Sequence, residues 1–228
     1  MLNRAAIEAI SVRSNKYANV TKILRTEVLI MSSNVDILTA ESIDRLITVD
    51  MNARGLILGL YNAARKLVDK PLTYLAAKAL IEKVKVGDVV VISTGFPARV
   101  WISPDIGEQD GAPGAVAMAR AINIALGAVP VLMAPKGQLE IVRGGCRGAG
   151  LLMLDLEEAK KAPHSPRPLQ VAVIKEYPCN DKEAEKLLPE TLKELNPSAL
   201  IATESPGKNE KGVYHSARGV DISAGVAR

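Results

Sequence analysis

The amino-acid sequence predicts an α/β protein, with a mostly parallel central sheet flanked by helices and a helical N-terminal region. Two observations predict this fold. Residues 83–228 contain short, continuous runs of apolar and β-branched residues, which are typical of strands buried on both faces of a parallel sheet. Residues 1–82 instead carry apolar residues at helical spacing.

Four helices are predicted in the N-terminal region, because apolar residues recur there every three or four positions. They span residues 2–12, 40–49, 54–67 and 73–84. Glu41 and Asp44 are expected in the first turn of the second helix, where carboxylates interact favourably with the helix dipole. Pro71 is expected to open the fourth helix.

Five strands are predicted beyond residue 82. They span residues 88–93, 129–134, 151–154, 171–174 and 199–203. Predicted helices at 115–126 and 181–195 separate several of them, and this alternation is typical of an α/β domain. The sequence has no internal repeat, so we predict a single α/β domain over residues 1–228, with a helical portion (1–82) and a sheet-containing portion (83–228).

The composition excludes two classes of partner. Aromatic residues make up only 3% of the chain, too few for a surface that stacks nucleic-acid bases. The basic residues behind the net charge of +4 are scattered rather than clustered. No apolar run approaches the roughly 20 residues that would span a bilayer. We therefore expect neither nucleic acid nor a membrane as a partner.

The two cysteines, Cys146 and Cys179, are isolated from each other and from histidines. They form neither a zinc motif nor a disulfide framework. The N-terminus lacks the apolar core of a signal peptide. We therefore expect a cytoplasmic protein with reduced thiols. A homo-oligomer remains an open alternative.

Two predicted strands end in polar, glycine-containing loops. The first of these strands leads through Thr94 to Glu108 and Asp110, and the last is followed directly by Glu204. Ligands of parallel sheets bind beyond the carboxyl ends of the strands, so we expect the three carboxylates to converge there. Close carboxylates repel one another unless a cation neutralises them, and oxygen ligands favour Mg²⁺, Mn²⁺ or Ca²⁺ over Zn²⁺.

Each of these carboxylates also has a simpler interpretation. Asp110 can cap the helix that follows it, with Pro113 in the first turn of that helix. Capping does not exclude a role for Asp110 in metal binding. Glu108 and Glu204 can be solvated loop charges.

Other polar groups carry weaker signals. His164 lies among prolines and is expected to be exposed, whereas His215 lies in a polar turn and can contact a ligand. Residues 144–148 are predicted to form a flexible, basic segment that can bind an anion, but they lack the spacing of a phosphate loop. Cys146 is a weak candidate for a nucleophile, because no base lies near it in sequence.

Around the three carboxylates, the sequence resembles the domain at the C-terminus of D-glutamate cyclases. Residues 94–97 and 108–115 resemble the T-G-F-P and E-x-D-G-x-x-G-A motifs of that family. Residues 204–208 and 212–218 resemble its E-x-x-G-[RK] and G-x-Y-x-x-x-[RK] motifs. Asp50 and Arg54 also fit the sequence pattern of this family. Their alternative interpretation is a surface ion pair between residues one helical turn apart.

This resemblance implies two activities. The eukaryotic fusion proteins of the family cyclise D-glutamate to 5-oxo-D-proline, and its stand-alone archaeal members resemble manganese-dependent phosphatases. We find no segment like the cyclase-specific second domain, so we expect a Mn²⁺- or Mg²⁺-dependent phosphatase acting on a small acidic or phosphorylated substrate. A D-glutamate cyclase-like lyase is the alternative, and a non-catalytic module that binds a metal or metabolite is the third interpretation.

The resemblance also assigns roles to residues. The implied metal ligands are Glu108, Asp110 and Glu204, of which Asp110 and Glu108 are also the implied catalytic residues. The implied substrate-binding residues are Thr94, Arg54, Lys208 and Arg218. The family usually continues into a G-D-G-G-N-E segment that this sequence does not contain, so we expect the site to lack some of its groups here.

Overall fold

The computed structural model describes residues 34–103, 105–216, 218–224 and 226. The chain divides into two compact units, Met1–Ala79 and Leu80–Arg228. The division lies close to residue 82, where the sequence changes from helical to strand-like patterns. The predicted helix at 2–12 lies outside the described residues, and the prediction of a single domain stays a prediction.

The first unit is helical, as predicted. Its described helices are α1 (34–47) and α2 (Ile57–Arg65), followed by α3 (Leu72–Lys83), within which the division between the units falls. Helix α1 already includes residues 34–39, so Glu41 and Asp44 lie in its interior and not in its first turn. The prediction of their position was wrong, because the helical pattern extends further towards the N-terminus than we inferred.

The side chain of Asp44, on α1, connects the helices of this unit through hydrogen bonds. It is only 1% exposed, and its carboxylate accepts hydrogen bonds from the Tyr61 hydroxyl at 3.0 Å and from Leu72 N at 2.8 Å. The backbone N–H and the hydroxyl of Thr73 donate to it as well. The carboxylate therefore caps the start of α3 from a neighbouring helix and satisfies N–H groups that lack a partner within that helix.

The second unit contains a five-stranded sheet with the strand order β3-β4-β2-β1-β5. Every strand pairing in this sheet is parallel. The strands are β1 (Val89–Ser93), β2 (Val129–Ala134), β3 (Leu152–Met153), β4 (Val171–Glu176) and β5 (Ala199–Ala202). Each coincides with a predicted strand to within two residues, and the predicted α/β fold class is confirmed.

Helices cover both faces of this sheet. They are α4 (Gly111–Leu126), α5 (Leu139–Gly148), α6 (Leu156–Lys161) and α7 (Asp181–Leu195). Val90 and Ile92 point to one face, where α4 and α5 complete a buried apolar cluster. Val89 and Val91 point to the other face, towards residues of α6 and α7. Of the helices in the described ranges, none is both long and apolar enough to cross a membrane.

Residues 144–148 form part of α5, so the prediction of a flexible segment was wrong. Three glycines in ten residues lower the intrinsic helix propensity, but tertiary packing outweighs it here. A Cβ added to Gly145 would lie 3.1 Å from Cγ2 of Val116 on α4. The glycine thus allows α5 to pack closely against α4.

Candidate functional site

The loop between β1 and α4 places Glu108 beside the end of β1. It folds back on itself as a short hairpin, in which Ala98 N donates to the Ile106 carbonyl and Glu108 N donates to the Phe96 carbonyl, each at 2.8 Å. These hydrogen bonds return the chain to the carboxyl edge of the sheet before α4 begins at Gly111. Glu108 therefore sits close to the N-terminus of α4.

The loop after β5 is tied to the same place. Thr203 N donates to the Ser93 carbonyl at 3.0 Å, and Gly95 N donates to the Glu204 carbonyl at 3.2 Å. Glu204 has a φ of 47°, a left-handed conformation that non-glycine residues adopt infrequently and that is enriched at functional sites. An apolar cluster also joins the two loops; it consists of Phe96, Val100, Tyr214, Ile222 and Val226.

These two loops bring Glu108, Asp110 and Glu204 together. One carboxylate oxygen from each residue lies within 4.8 Å of the oxygens of the other two, and all three side chains are exposed. The predicted convergence at the carboxyl edge of the sheet is therefore confirmed. Oxygen atoms at this spacing can act as ligands of a single hard cation.

Asp110 is also the N-cap of α4, as its alternative interpretation predicted. Its Oδ1 accepts a hydrogen bond from Gly111 N at 3.1 Å. This bond occupies one oxygen of the carboxylate, whereas Oδ2 accepts no hydrogen bond from the described residues. Capping and metal binding are therefore compatible at Asp110.

The electrostatics of the cluster favour a bound cation. Partial burial raises the pKa of Glu108 above its ordinary value, and the negative charges of Asp110 and Glu204 raise it further. The N-terminus of α4 carries a partial positive charge that offsets this repulsion only in part. A divalent ion between the carboxylates would remove the remaining repulsion.

Thr94 contributes a buried hydroxyl next to the cluster. Its side chain is 3% exposed, and among the described residues Oγ1 has no hydrogen-bond partner. A Cβ added to Gly111 would lie 2.8 Å from this Oγ1 and 2.8 Å from Cβ of Glu204. Gly111 is thus the residue that allows Thr94, Glu204 and the start of α4 to meet.

Gln138 is a polar residue of this edge that we did not identify from the sequence. It lies at the end of a short 3₁₀ turn after β2, and its side chain is 3% exposed. Its Nε2 is buried and has no partner among the described residues. An amide donor left in this state costs about 1–3 kcal/mol. The polar segment after a predicted strand was the signal in the sequence that would have located Gln138.

The predicted basic residues stay predictions. Lys208 and Arg218 are exposed on the loop after β5, where Lys208 forms an antiparallel bridge with Tyr214. Arg54 is exposed in the first unit. No contact in the described residues tests their role in substrate binding.

The other candidates are placed as follows. Asp50 accepts a hydrogen bond from Gly55 N, and in the part of the chain that the structure describes it forms no ion pair with Arg54. His215 is exposed, with Nδ1 at 3.2 Å from Nδ2 of Asn209. Burial raises the pKa of the Cys146 thiol to about 11, so Cys146 cannot supply a thiolate near neutral pH.

The fold and the site define an α/β protein with an acidic candidate metal centre at the carboxyl edge of its sheet. Residues 43–228 match the model of the family described as D-glutamate cyclase-like, C-terminal. The chain belongs to this family, as the motifs in its sequence predicted. No curated protein and no solved structure matches the chain.

Proposed function

We propose that this protein is a divalent-metal-dependent hydrolase, a phosphatase acting on a small phosphorylated substrate. The observation that carries the proposal is the cluster of Glu108, Asp110 and Glu204, with one oxygen of each within 4.8 Å of the others. Exposed acidic groups are common on proteins without a metal. Here a second observation supports the site, because the Thr94 hydroxyl is buried beside it and has no hydrogen-bond partner within the described ranges.

The donor set fits Mn²⁺ or Mg²⁺. It consists of carboxylate oxygens, which suit hard divalent cations, and it contains neither thiolate nor imidazole. Three protein ligands also leave coordination positions free for water or substrate. A divalent ion held there would supply Lewis acidity towards a phosphoryl oxygen and towards the attacking water.

Residues of the chain would then supply the remaining catalytic and substrate-binding groups. Glu108 and Asp110 are the proposed catalytic residues, because they would hold, together with Glu204, the metal that activates substrate and water. Thr94 would donate a hydrogen bond from Oγ1 to a substrate oxygen. Lys208 and Arg218 are the proposed cations that neutralise charge developing on the substrate, and the substrate-binding role of Arg54 stays a prediction.

D-glutamate cyclisation is the second candidate function. The family match favours it, because the description of the matched family refers to D-glutamate cyclase. The acidic cluster does not choose between the two, since a divalent ion attracts both a phosphate and a carboxylate. A module that binds a metal without catalysis is the outcome expected if neither reaction occurs.

One set of assays separates these functions. Purified protein is incubated with Mn²⁺, with Mg²⁺ or with chelator, on a generic phosphomonoester and on D-glutamate. Phosphate release that requires the metal supports the phosphatase. Formation of 5-oxo-D-proline without phosphate release would establish the cyclase instead, and metal binding without either product would establish the non-catalytic module.

Asp110→Asn is the sharpest variant for these assays. Asparagine keeps an oxygen that can accept from Gly111 N, so the cap of α4 is retained while the charge is lost. We expect activity to fall at least about tenfold with little change in stability, because one charged metal ligand is removed. Glu185→Gln is the matched control, since it removes an exposed charge from α7.

A further inference from the structure

Two buried amides of the second unit differ in one respect. Asn123 is 7% exposed, and both ends of its amide are used: Nδ2 donates to the Ala128 carbonyl at 2.7 Å and Oδ1 accepts from Val171 N at 3.2 Å. Gln138 is more deeply buried, yet its Nε2 has no acceptor among the described residues. Asn123 therefore has a structural role that Gln138 lacks.

The surroundings of Gln138 place its amide at the candidate site. A Cβ added to Gly107 would overlap the Gln138 amide, and one added to Gly95 would lie 3.3 Å from its Oε1. Gly107 immediately precedes Glu108, and Gly95 immediately follows Thr94. Gly107 thus makes room for the Gln138 amide, whereas Gly95 borders this amide and has Pro135 as its nearest neighbour.

We propose that Gln138 is a further ligand-binding residue, whose amide N–H donates a hydrogen bond to an oxyanion held beside the carboxylate cluster. An apolar side chain of the same length would fill the space between the glycines without burying an unpaired donor. A glutamine is therefore explained by an acceptor that arrives with the ligand.

The chemistry of the site defines the class of that acceptor. A neutral N–H donor suits an oxygen of a phosphate or carboxylate, and a divalent ion at the carboxylates would hold such an anion nearby. The inference rests on the proposed function for the presence of the metal. The inference adds to that function a hydrogen-bond donor, the amide of Gln138, and this donor can be tested separately from catalysis.

The test is calorimetric titration of inorganic phosphate and of D-glutamate, each with and without Mn²⁺, into wild type and Gln138→Met. Methionine keeps the length of the side chain and removes the donor. We expect the Kd of at least one anion to rise about tenfold, with the Kd of Mn²⁺ unchanged and the thermal stability of the ligand-free protein equal or higher. The anion affected identifies the source of the oxyanion.

Two further variants support the measurement. Asn123→Leu also removes a buried amide, and it should lower thermal stability while leaving anion affinity unchanged. Gly107→Ala retains Gln138 but adds a methyl group where its amide lies, so anion affinity should fall because the donor is displaced.

Unchanged affinity for both anions in Gln138→Met would overturn the inference and leave Gln138 as a spacer between two glycines. That result would not touch the proposed function if Mn²⁺ still bound and activity persisted. Absence of Mn²⁺ binding in the wild type would instead overturn the proposed function. The inference would then be judged by the titrations without metal, where weaker anion binding by the variant supports it and no binding by the wild type overturns it.

Discussion

Gly95 donates its backbone N–H to the carbonyl of Glu204 at 3.2 Å, and this bond joins the loops that follow two neighbouring parallel strands. The two residues are more than a hundred positions apart in sequence. Gly95 has a φ of 131°, which glycine adopts readily because it has no Cβ. The bond fixes Glu204 next to the end of β1, where Glu108 and Asp110 also lie, so the geometry of the acidic cluster depends on the backbone as well as on the carboxylates.

Gly111→Ala should disrupt the site, whereas Gly114→Ala should not. A Cβ at Gly111 would lie 2.8 Å from atoms of Thr94 and Glu204, but a Cβ at Gly114, on the same helix, meets nothing within 4 Å. We expect Gly111→Ala to cost about 1–3 kcal/mol of unfolding free energy and to weaken Mn²⁺ binding. Gly114→Ala should be neutral or stabilise by up to about 1 kcal/mol.

Chemical unfolding with and without Mn²⁺ measures both effects in the same samples. Equal behaviour of the two variants would show that the contact between α4 and the loop after β5 is not needed for the site.

The sequence was sufficient to predict the sheet because its strands are short, continuous apolar runs, most of which contain β-branched residues. Helix α7 was predicted at its observed bounds, Asp181–Leu195, and in the structure Asn180 caps it. Helix α5 was missed because its three glycines argue locally against a helix, and packing against α4 accounts only for Gly145, whose added Cβ would lie 3.1 Å from Val116. Long-range packing is the information that a single sequence does not display.

The same limit applies to the site. The three carboxylates could be predicted to meet, because each follows a strand and parallel strands end at one edge. The position of Gln138 after a strand was also readable from the sequence, but its unpaired donor was not, because the lack of an acceptor among the described residues appears only in the folded protein. Burial and the absence of an acceptor are properties of the folded protein alone.

Trp101 should report metal binding by its fluorescence. It is the only tryptophan of the chain, it is 67% exposed, and it lies on the hairpin loop that carries Glu108. Binding of Mn²⁺ or Mg²⁺ at the base of this loop should restrict the loop and change the emission of Trp101. The change should saturate in wild type, reverse with chelator, and require at least about tenfold more metal in Asp110→Asn. A response of equal size and midpoint in that variant would place metal binding elsewhere.

Asp44→Asn should destabilise the first unit. Burial raises the pKa of Asp44, but hydrogen bonds from Thr73, Leu72 and Tyr61 outweigh burial and leave the pKa below its ordinary value. Asparagine would turn an NH₂ group towards these donors, so we expect a loss of about 2–4 kcal/mol in unfolding free energy. Asp36→Asn, an exposed position on α1, is the control and should change little.

The effect of Asp44→Asn should depend on pH. Because the pKa is lowered in the folded state, the carboxylate stabilises the protein above the ordinary pKa of aspartate, and this contribution is lost as the pH falls through the lowered value. Urea unfolding at several pH values measures it. A difference between wild type and variant that stays constant down to strongly acidic pH would show that the charge of Asp44 is not what matters.

Glu108→Gln should stabilise the metal-free protein and remove most of its stabilisation by metal. The pKa of Glu108 is raised by partial burial and by the charges of Asp110 and Glu204, so its ionised form is disfavoured in the folded state. Ionisation therefore lowers the stability of the metal-free wild type as the pH rises from the ordinary pKa of glutamate through the raised value. At neutral pH the variant should melt at a higher temperature than wild type, and below the ordinary pKa of glutamate this advantage should vanish.

Added Mn²⁺ should reverse the order of the two proteins at neutral pH. At a concentration of 100 times its Kd, a ligand that binds only the folded state stabilises it by about 2.7 kcal/mol, and Glu108→Gln should lose most of this gain. Protons compete with the metal for Glu108, so the gain of the wild type should also shrink as the pH falls through the raised pKa. Thermal melts with and without Mn²⁺ across this pH range test the reversal, with Glu185→Gln expected to follow wild type throughout. If Glu108→Gln responds to Mn²⁺ as strongly as wild type, Glu108 is not a ligand, and its raised pKa reflects only partial burial and the neighbouring carboxylates.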